Sequence, residues 1–527
     1  MSNLTTQTLS QTATTTTPIP FFQQKIGLFS ALGAIATIFA LGIIFSPALA
    51  FGLVAAIALA ITAFRKPLWL VTGLLWYMPL EPFLLKFIPS DFYLYIRFGS
   101  EAVIYLIVIA LLWKFISRQL KWQLTAFDMI FAALLGTMLV GTLLHWTSLE
   151  VTLLGWRGIL RFMVLYYVIL YLRPTRQQIL IAMSGLALLL LGESLLGLTQ
   201  WLSGGRLDAF LAPSQQQFFG DITITIGTTL DWGEGQRVFG TLGKYEQLGS
   251  WLMMGLFFVI ATLYEYQGPR KRWLWVLFAV GLVTLVLTYS RAAWFGWVLG
   301  AIIMSFIIKR HKKVFFITLG ALAALFLYKE FSGLVVDTLL ARPYTNVGIL
   351  ERLFEVFSYE RWRGEYFGLG RLYFLVEVPR KVIPLSPIFG FGPGQFGSGA
   401  AAALHNTAIY NLANIPFGIW GQFGFIDNNW LSLWAEVGTL GLLLYVALLV
   451  WLLRVTVKVY RQTKFLVTRV LAFGYIAVIF SVSFIALLAT YLEMRTLGLY
   501  FWILGGVIVS LALQEGIIKP FKKDKTS

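Results

Sequence analysis

Apolar runs of roughly 15–23 residues recur along the chain, separated by short polar and basic stretches. They lie near 26–46, 48–64, 67–85, 99–117, 126–146, 152–172, 179–201, 245–265, 272–290, 292–308, 314–328, 431–453, 470–490 and 497–514. A helix needs about 20 apolar residues to cross a bilayer core, so most of these runs are long enough to span. The pattern predicts an all-α, polytopic transmembrane helix bundle of about 14 spans, with a range of about 12–14.

The polar interruptions predict orientation. Arg65–Lys66, Lys114/Arg118/Lys121, Arg173/Arg176, "PRKR" at 269–272, "KRHKK" at 309–313, Arg454 to Arg469 and the tail "KPFKKDK" fall on alternate connections. Lys and Arg accumulate on the cytoplasmic side of membrane proteins, so that side and both termini are expected to be cytoplasmic. Residues 1–25, rich in Thr, Gln and Ser without a basic start, read as a disordered cytoplasmic tail. The expected organisation is an N-terminal bundle over 26–328, a large outer loop over 329–430, C-terminal spans over 431–514 and a basic tail over 515–527.

Two long connections, 202–244 and 329–430, fall on the outer side. Connections longer than about 15 residues are uncommon unless functional or disordered. The second contains "RLFEVFSYERWRGEYF" and "RLYFLVEVPRKVI", where aromatic and charged residues alternate at near-helical spacing. These predict amphipathic helices lying on the membrane surface.

Composition supports the membrane reading: 58% of residues are hydrophobic, 12% are charged and the mean hydropathy is +0.78. A net charge of +17 would suggest nucleic acid in a soluble protein; here topology accounts for it, and no nucleic-acid partner is expected. The absence of cysteine excludes disulfides, thiolate catalysis and Cys-type zinc sites. The three histidines have no ligand spacing and no DxD occurs, so no metal or other cofactor is predicted. His311 lies in the basic "KRHKK", and His145 ends a span as a candidate interfacial residue.

The outer side carries many arginines against the usual bias: Arg97, Arg157, Arg161, Arg206, Arg237, Arg291, Arg342, Arg352, Arg361, Arg363, Arg371 and Arg380. Guanidinium is a fixed fork suited to phosphate oxygens. The plainer alternative is pairing with Glu351, Glu355, Glu360 and Glu365 on the loop surface. Arg291 sits where two spans meet almost without a loop, a costly place for a charge. Arg237, in "GQRVFGTLGKYEQLGS", precedes a span beside glycines. "SPIFGFGPGQFG", with Gly390, Gly392 and Gly394, predicts a tight turn whose exposed N–H groups suit an anion. Asp427 opens "DNNWLSLWAEVG" and is either an acid facing the site or a helix N-cap; Asn428 follows it. Glu436 lies about 13 Å further along that span and needs a partner.

In order, "RVFGTLGKYEQLG", "YSRAAW", "FGFGPGQF" and "DNNWLSLWAEVGTLG" resemble the O-antigen ligase and polymerase family of bacterial membrane proteins, over roughly residues 230–450. The resemblance implies a GT-C-type membrane fold in the bacterial cytoplasmic (inner) membrane. It implies transfer of a glycan from a polyprenyl diphosphate carrier to an acceptor hydroxyl on the outer face, for surface polysaccharide biosynthesis. By motif, Arg237 and Arg291 match arginines that hold the diphosphate, and Arg371 resembles another. Family ligases show His then Asn before the apolar helix; Asp427 stands at that His here, which favours a polymerase-like member. His405, in "ALHNTAIYN", is the second candidate for the base.

The expected reaction is inverting and metal-independent. Asp427 or His405 takes the acceptor proton, Arg237, Arg291 and Arg371 stabilise the leaving diphosphate, and Gly390, Gly392, Gly394, Asn428 and Glu436 support the site. The alternative is a transporter for a small anion such as bicarbonate, which would use intramembrane polar residues. Glu81, Asp128 and Glu193 are the candidates, each without an evident basic partner in the sequence. A third alternative is a scaffold subunit of an export complex.

Overall fold

The computed structural model describes residues 47–213, 217–219, 222–225, 235–269, 271–310, 348–357, 359–419 and 422–521, with single positions at 37, 316, 320 and 324. The expected tail 1–25, the body of the runs 26–46 and 314–328, His311, Arg342 and the chain beyond 521 lie outside the described residues. Two units are distinguished, residues 1–65 and 66–527. The first contributes one described long helix, Pro47–Arg65.

The second unit is built on α1 (Ser90–Ile116), α2 (Ala126–Leu144), α3 (Leu149–Leu160), α4 (Met163–Leu172), α5 (Arg176–Leu202), α6 (Tyr245–Glu265), α7 (Lys271–Leu287), α8 (Arg291–Ile302), α9 (Asn429–Gln462), α10 (Leu466–Ile485) and α11 (Arg495–Gln514). Among the described residues seven helices are long and apolar enough to cross a membrane: α1, α2, α5, α6, α9, α10 and α11. The protein is an all-α, multi-pass membrane bundle; strand among the described residues is confined to two short antiparallel pairs, Gln217–Phe219 with Ile222–Thr225 and Gly418–Ile419 with Gln422–Phe423. α9 packs on α2 and α10, α6 on α10, and α4 on α11.

Several runs that read as single spans are broken. The run 152–172 is α3 and α4, bent by 52° at Arg161–Phe162. The run 67–85 is a helix Pro67–Tyr77 and a short helix Glu81–Leu85. Pro79 and Pro82 explain that break, because proline removes a donor and disfavours helix before it. The run 292–308 is α8 continued by a π-helical turn, Ile303–Ile308.

The most consequential break lies within α9, at Gly438 (φ 70°, ψ −180°). The segment Pro387–Gly392 fills it. Phe391 N and Gly392 N donate to the freed carbonyls of Ala435 and Glu436, at 3.0 and 2.9 Å. In return Thr439 N and Leu440 N donate to Pro387 O and Ile388 O, at 2.9 and 3.2 Å. Non-helical backbone inside an apolar bundle persists only where such groups are satisfied again. The approach requires glycine: a Cβ on Gly438 would lie 2.2 Å from Ile388 O. On its other side the segment presses on α2 and α3, where a Cβ on Gly155 would lie 2.2 Å from Pro393 O. Small residues permit such backbone contact.

The described residues of the long connection include further short helices. Helices Tyr359–Phe367 and Arg371–Glu377 form within the stretches whose spacing predicts helix, and Ile349–Phe354 begins three residues ahead of the first of them. Phe374, Val378, Phe391, Phe396, Tyr410 and Ile426 belong to one buried apolar cluster that joins this connection to the start of α9. Trp362, Phe367, Leu375 and Val376 remain exposed.

Candidate functional site

The three consecutive polar residues ahead of α9 divide three tasks. Asn428 is the helix cap, its Oδ1 accepting from Leu431 N at 3.1 Å. Asn429 binds the chain that leads into α11: its N–H donates to Ala486 O at 2.8 Å and its Oδ1 accepts from Leu492 N at 2.8 Å. Asp427 does neither. Its Oδ2 accepts from Arg371 Nη2 at 3.1 Å, across 56 residues of chain. The N-cap alternative for Asp427 is therefore corrected: the next residue caps, which leaves the acid to the arginine.

Arg371 opens the helix Arg371–Glu377, with its backbone N–H held by Glu365 Oε2 at 2.9 Å. Burial alone would make its guanidinium easier to deprotonate. The carboxylate of Asp427, then those of Glu365 and Glu246, reverse that and hold its pKa above the ordinary value. Arg371 is thus a permanent cation, with a buried Nε–H that lacks a protein acceptor.

Arg237 lies over the ring of Tyr245 with its guanidinium carbon 4.5 Å from the centroid. Its loop is braced from below. Gln200 Oε1 accepts from Phe239 N and Gly240 N, both at 3.1 Å. Asp208 holds Gln200 Nε2 and Gly235 N, both at 2.8 Å. Glu193 accepts from Thr241 N at 3.1 Å. Glu193, a candidate intramembrane ion ligand by sequence, is here a brace of the loop that carries Arg237.

Arg291, the first residue of α8, donates to Glu355 Oε2 at 3.0 Å, and Arg352 donates to the same oxygen at 2.8 Å. The Glu355 side chain is fully buried. Loop acids therefore do pair with the arginines, at Glu355 and Asp427. Tyr245 lies within electrostatic range of Arg237, Arg352 and Glu246, and Arg371 within range of Glu246. Arg371–Asp427 and Arg291–Glu355–Arg352 are thus two bonded clusters, and Arg237, Tyr245 and Glu246 lie within electrostatic range of them. The sequence reading counted Arg352 among the outer arginines and Glu355 among the acids that could pair with them, but assigned no role to Tyr245 or Glu246, which lie in "GKYEQLGS" beside Arg237.

The glycine turn differs from expectation. It does surround an acidic side chain, but that side chain is the chain's own Glu436. Glu436 Oε1 accepts from Gly394 N at 2.8 Å, Phe396 N at 3.4 Å and Ser398 Oγ at 2.6 Å. Gly390 N donates to Ser386 O and Gly392 N to Glu436 O. Gly390, Gly392 and Gly394 therefore build the fold around the break in α9, and their N–H groups are engaged within the protein. Glu436 is their partner and is buried.

His405 stands apart. Its ring is 6.4 Å from that of Phe417, and among the described residues no hydrogen bond or ion pair joins it to Asp427 or to the arginine group. Its neighbour Asn406 binds Gly394 O and Gln395 Oε1, at 3.3 and 2.9 Å.

No protein-family model matches this sequence, and no curated protein matches it.

A second charged group lies near α11. Glu81 pairs with Arg97 at 3.5 Å and with Arg495 at 3.2 Å. Glu101 pairs with Arg157 at 2.6 Å and Arg161 at 3.2 Å. The sequence expectation that Glu81 has no basic partner is corrected: Arg495 comes from the other end of the chain, beyond the reach of local pattern. Asp128 belongs to the capping box of α2 with Thr125.

Proposed function

We propose that the protein transfers or polymerises a glycan from a polyprenyl diphosphate carrier onto an acceptor hydroxyl, as a polymerase-like relative of the O-antigen ligases. In this reading the chain has about 14 spans with both termini cytoplasmic. The connection 329–430 is an outer, periplasmic-side loop, and the membrane is the bacterial inner membrane. The observation that carries the reading is the Asp427–Arg371 pair within a set of four arginines. The set joins a carboxylate able to accept a proton to cations able to hold a diphosphate.

The geometry suggests an order of events. The donor diphosphate takes up the donors of Arg371 and its neighbours, and Asp427 is released from the ion pair. The acceptor hydroxyl oxygen then attacks the anomeric carbon as its proton passes to Asp427. The bond from that carbon to the diphosphate oxygen breaks, the electron pair leaves with the carrier diphosphate, and the configuration inverts. His405 is the less favoured base because no bond links it to the arginines. The test is chain extension by the purified protein on a labelled diphosphate-linked oligosaccharide. Undiminished extension by both Asp427→Ala and His405→Ala excludes both bases.

One observation favours an anion transporter: α9 is a broken helix, as at many transport sites. Yet the groups freed on both sides of Gly438 are bonded to residues 387–392. Uptake of labelled bicarbonate by vesicles holding the protein without carrier lipid would select this reading.

A further inference from the structure

Four guanidinium groups converge on two carboxylates beside the start of α11. Arg157 makes a two-point bond to Glu101, Nε to Oε2 at 2.8 Å and Nη2 to Oε1 at 2.6 Å. Arg161 reaches Glu101 and also Glu493 O, the latter at 2.6 Å. Arg495 donates to Ser100 Oγ at 2.6 Å and to Arg97 O at 3.2 Å, and pairs with Glu81. Arg97 contributes one nitrogen to Glu81. The charges of Arg97 and Arg161 both act on Arg495.

Four cations face the two buried acids Glu81 and Glu101, and even with Glu493 acting on Arg161 at least one positive charge is left in excess. Holding such an excess beside an apolar bundle is costly unless an anion completes it. The donors are divided in a way that suits one. Arg161 and Arg495 are fixed by protein acceptors, yet each keeps a buried Nε–H without a partner. Arg97 and Arg157 are more open, with side chains 20% and 29% exposed. Among the described residues Arg97 Nε and Nη2 and Arg157 Nη1 have no hydrogen-bond partner.

The group also adjoins the first. The turn Tyr491–Glu493 runs between them: Tyr491 lies within range of Glu246 and Arg371, while Glu493 O holds Arg161. We propose that Arg97, Arg157, Arg161 and Arg495 form a second phosphate seat, which takes the phosphate-bearing headgroup of the acceptor. The assignment to the acceptor rests on the reading of the first arginine group as the donor site. Two anchored phosphates one turn of chain apart would bring the acceptor hydroxyl towards the donor's anomeric carbon. Guanidinium forks, unlike single ammonium charges, suit such oxygens.

The test counts bound phosphate ligands on the purified full chain, with a soluble ten-carbon prenyl diphosphate as the probe. Two equivalents per chain are expected for the unaltered protein and one for R97Q/R157Q. That variant leaves Glu81 with Arg495 and Glu101 with Arg161, so the buried acids keep partners; if it misfolds, R97Q alone is read in the same way. One equivalent in the unaltered protein, or two retained in R97Q/R157Q, overturns the second seat. One equivalent is also expected for R237Q/R371Q. If instead that variant keeps both while R97Q/R157Q loses one, the seat stands and the donor reading fails. No binding at all overturns both. Displacement of the second equivalent by inorganic pyrophosphate at equal concentration assigns the seat to a free ion; resistance assigns it to a lipid headgroup.

Discussion

Arg371 and Asp427, 56 residues apart in sequence, share a hydrogen bond of 3.1 Å at the entrance to α9. The pair joins a cation that neighbouring acids hold charged against the cost of burial to an acid that its position leaves free of capping duty. Asp427→Asn keeps the shape and removes the proton acceptor. It is expected to slow glycan transfer by about 10²–10⁴-fold, the usual worth of a general base. Arg371→Gln should weaken donor binding as well as turnover. Steady-state rates against donor concentration separate the two effects.

Glu355 lies between Arg291 and Arg352 and accepts from both, and its side chain is fully buried. Glu355→Ala leaves two guanidinium groups facing each other without it. Breaking a buried pair from one side costs about 3–5 kcal/mol, so a marked fall in thermal stability is expected. Differential scanning fluorimetry in detergent measures it.

Gly438 sits in a backbone region open almost only to glycine, against the Ile388 carbonyl. Gly438→Ala adds a strain of about 1–3 kcal/mol to a direct clash. The substitution should dislodge the segment 387–392, seen as new protease cleavage near it in folded protein.

Glu436 receives three donors on one oxygen. Glu436→Gln keeps an acceptor oxygen there and should retain most activity. Glu436→Ala leaves buried donors unmet at about 1–3 kcal/mol each and should lower the yield of folded protein. Equal loss of turnover in both variants, with folding intact, would assign Glu436 to the chemistry instead.

Burial raises the Glu493 carboxyl above its ordinary range, opposed by the Gly399 N–H and the Arg161 charge. A raised acid stabilises the fold most below its unfolded value, and that contribution is lost as pH rises through the folded value. Stability should therefore decline with rising pH above the usual carboxylate range, and Glu493→Gln should flatten that slope. Melting temperatures across pH for both proteins decide it.

Much of the candidate site was legible. Arg237, Arg291, Arg371 and Asp427 stand out as charges beside apolar runs; the structure bonds Arg371 to Asp427, gives Arg291 to Glu355 and sets Arg237 over Tyr245. The glycine turn was legible as a tight turn, but its partner was not, because Glu436 lies 42 residues from Gly394. The break at Gly438 was hidden because the run 431–453 is apolar on both sides of it, apart from Ser432, Glu436 and Thr439, and glycine is common in membrane helices. Arg495 and Glu81 found each other across most of the chain, where no spacing rule applies.

From the sequence alone came the class of the molecule: helical, multi-pass and short of charge. Bilayer thickness sets helix length, and length and polarity are local properties that a single chain displays openly. The tertiary structure alone decided which carboxylate meets which guanidinium, where the helices break and what fills the gap. Those choices depend on close contact between distant segments, on whether a Cβ fits and on whether each buried polar group finds a partner, none of which a periodicity encodes.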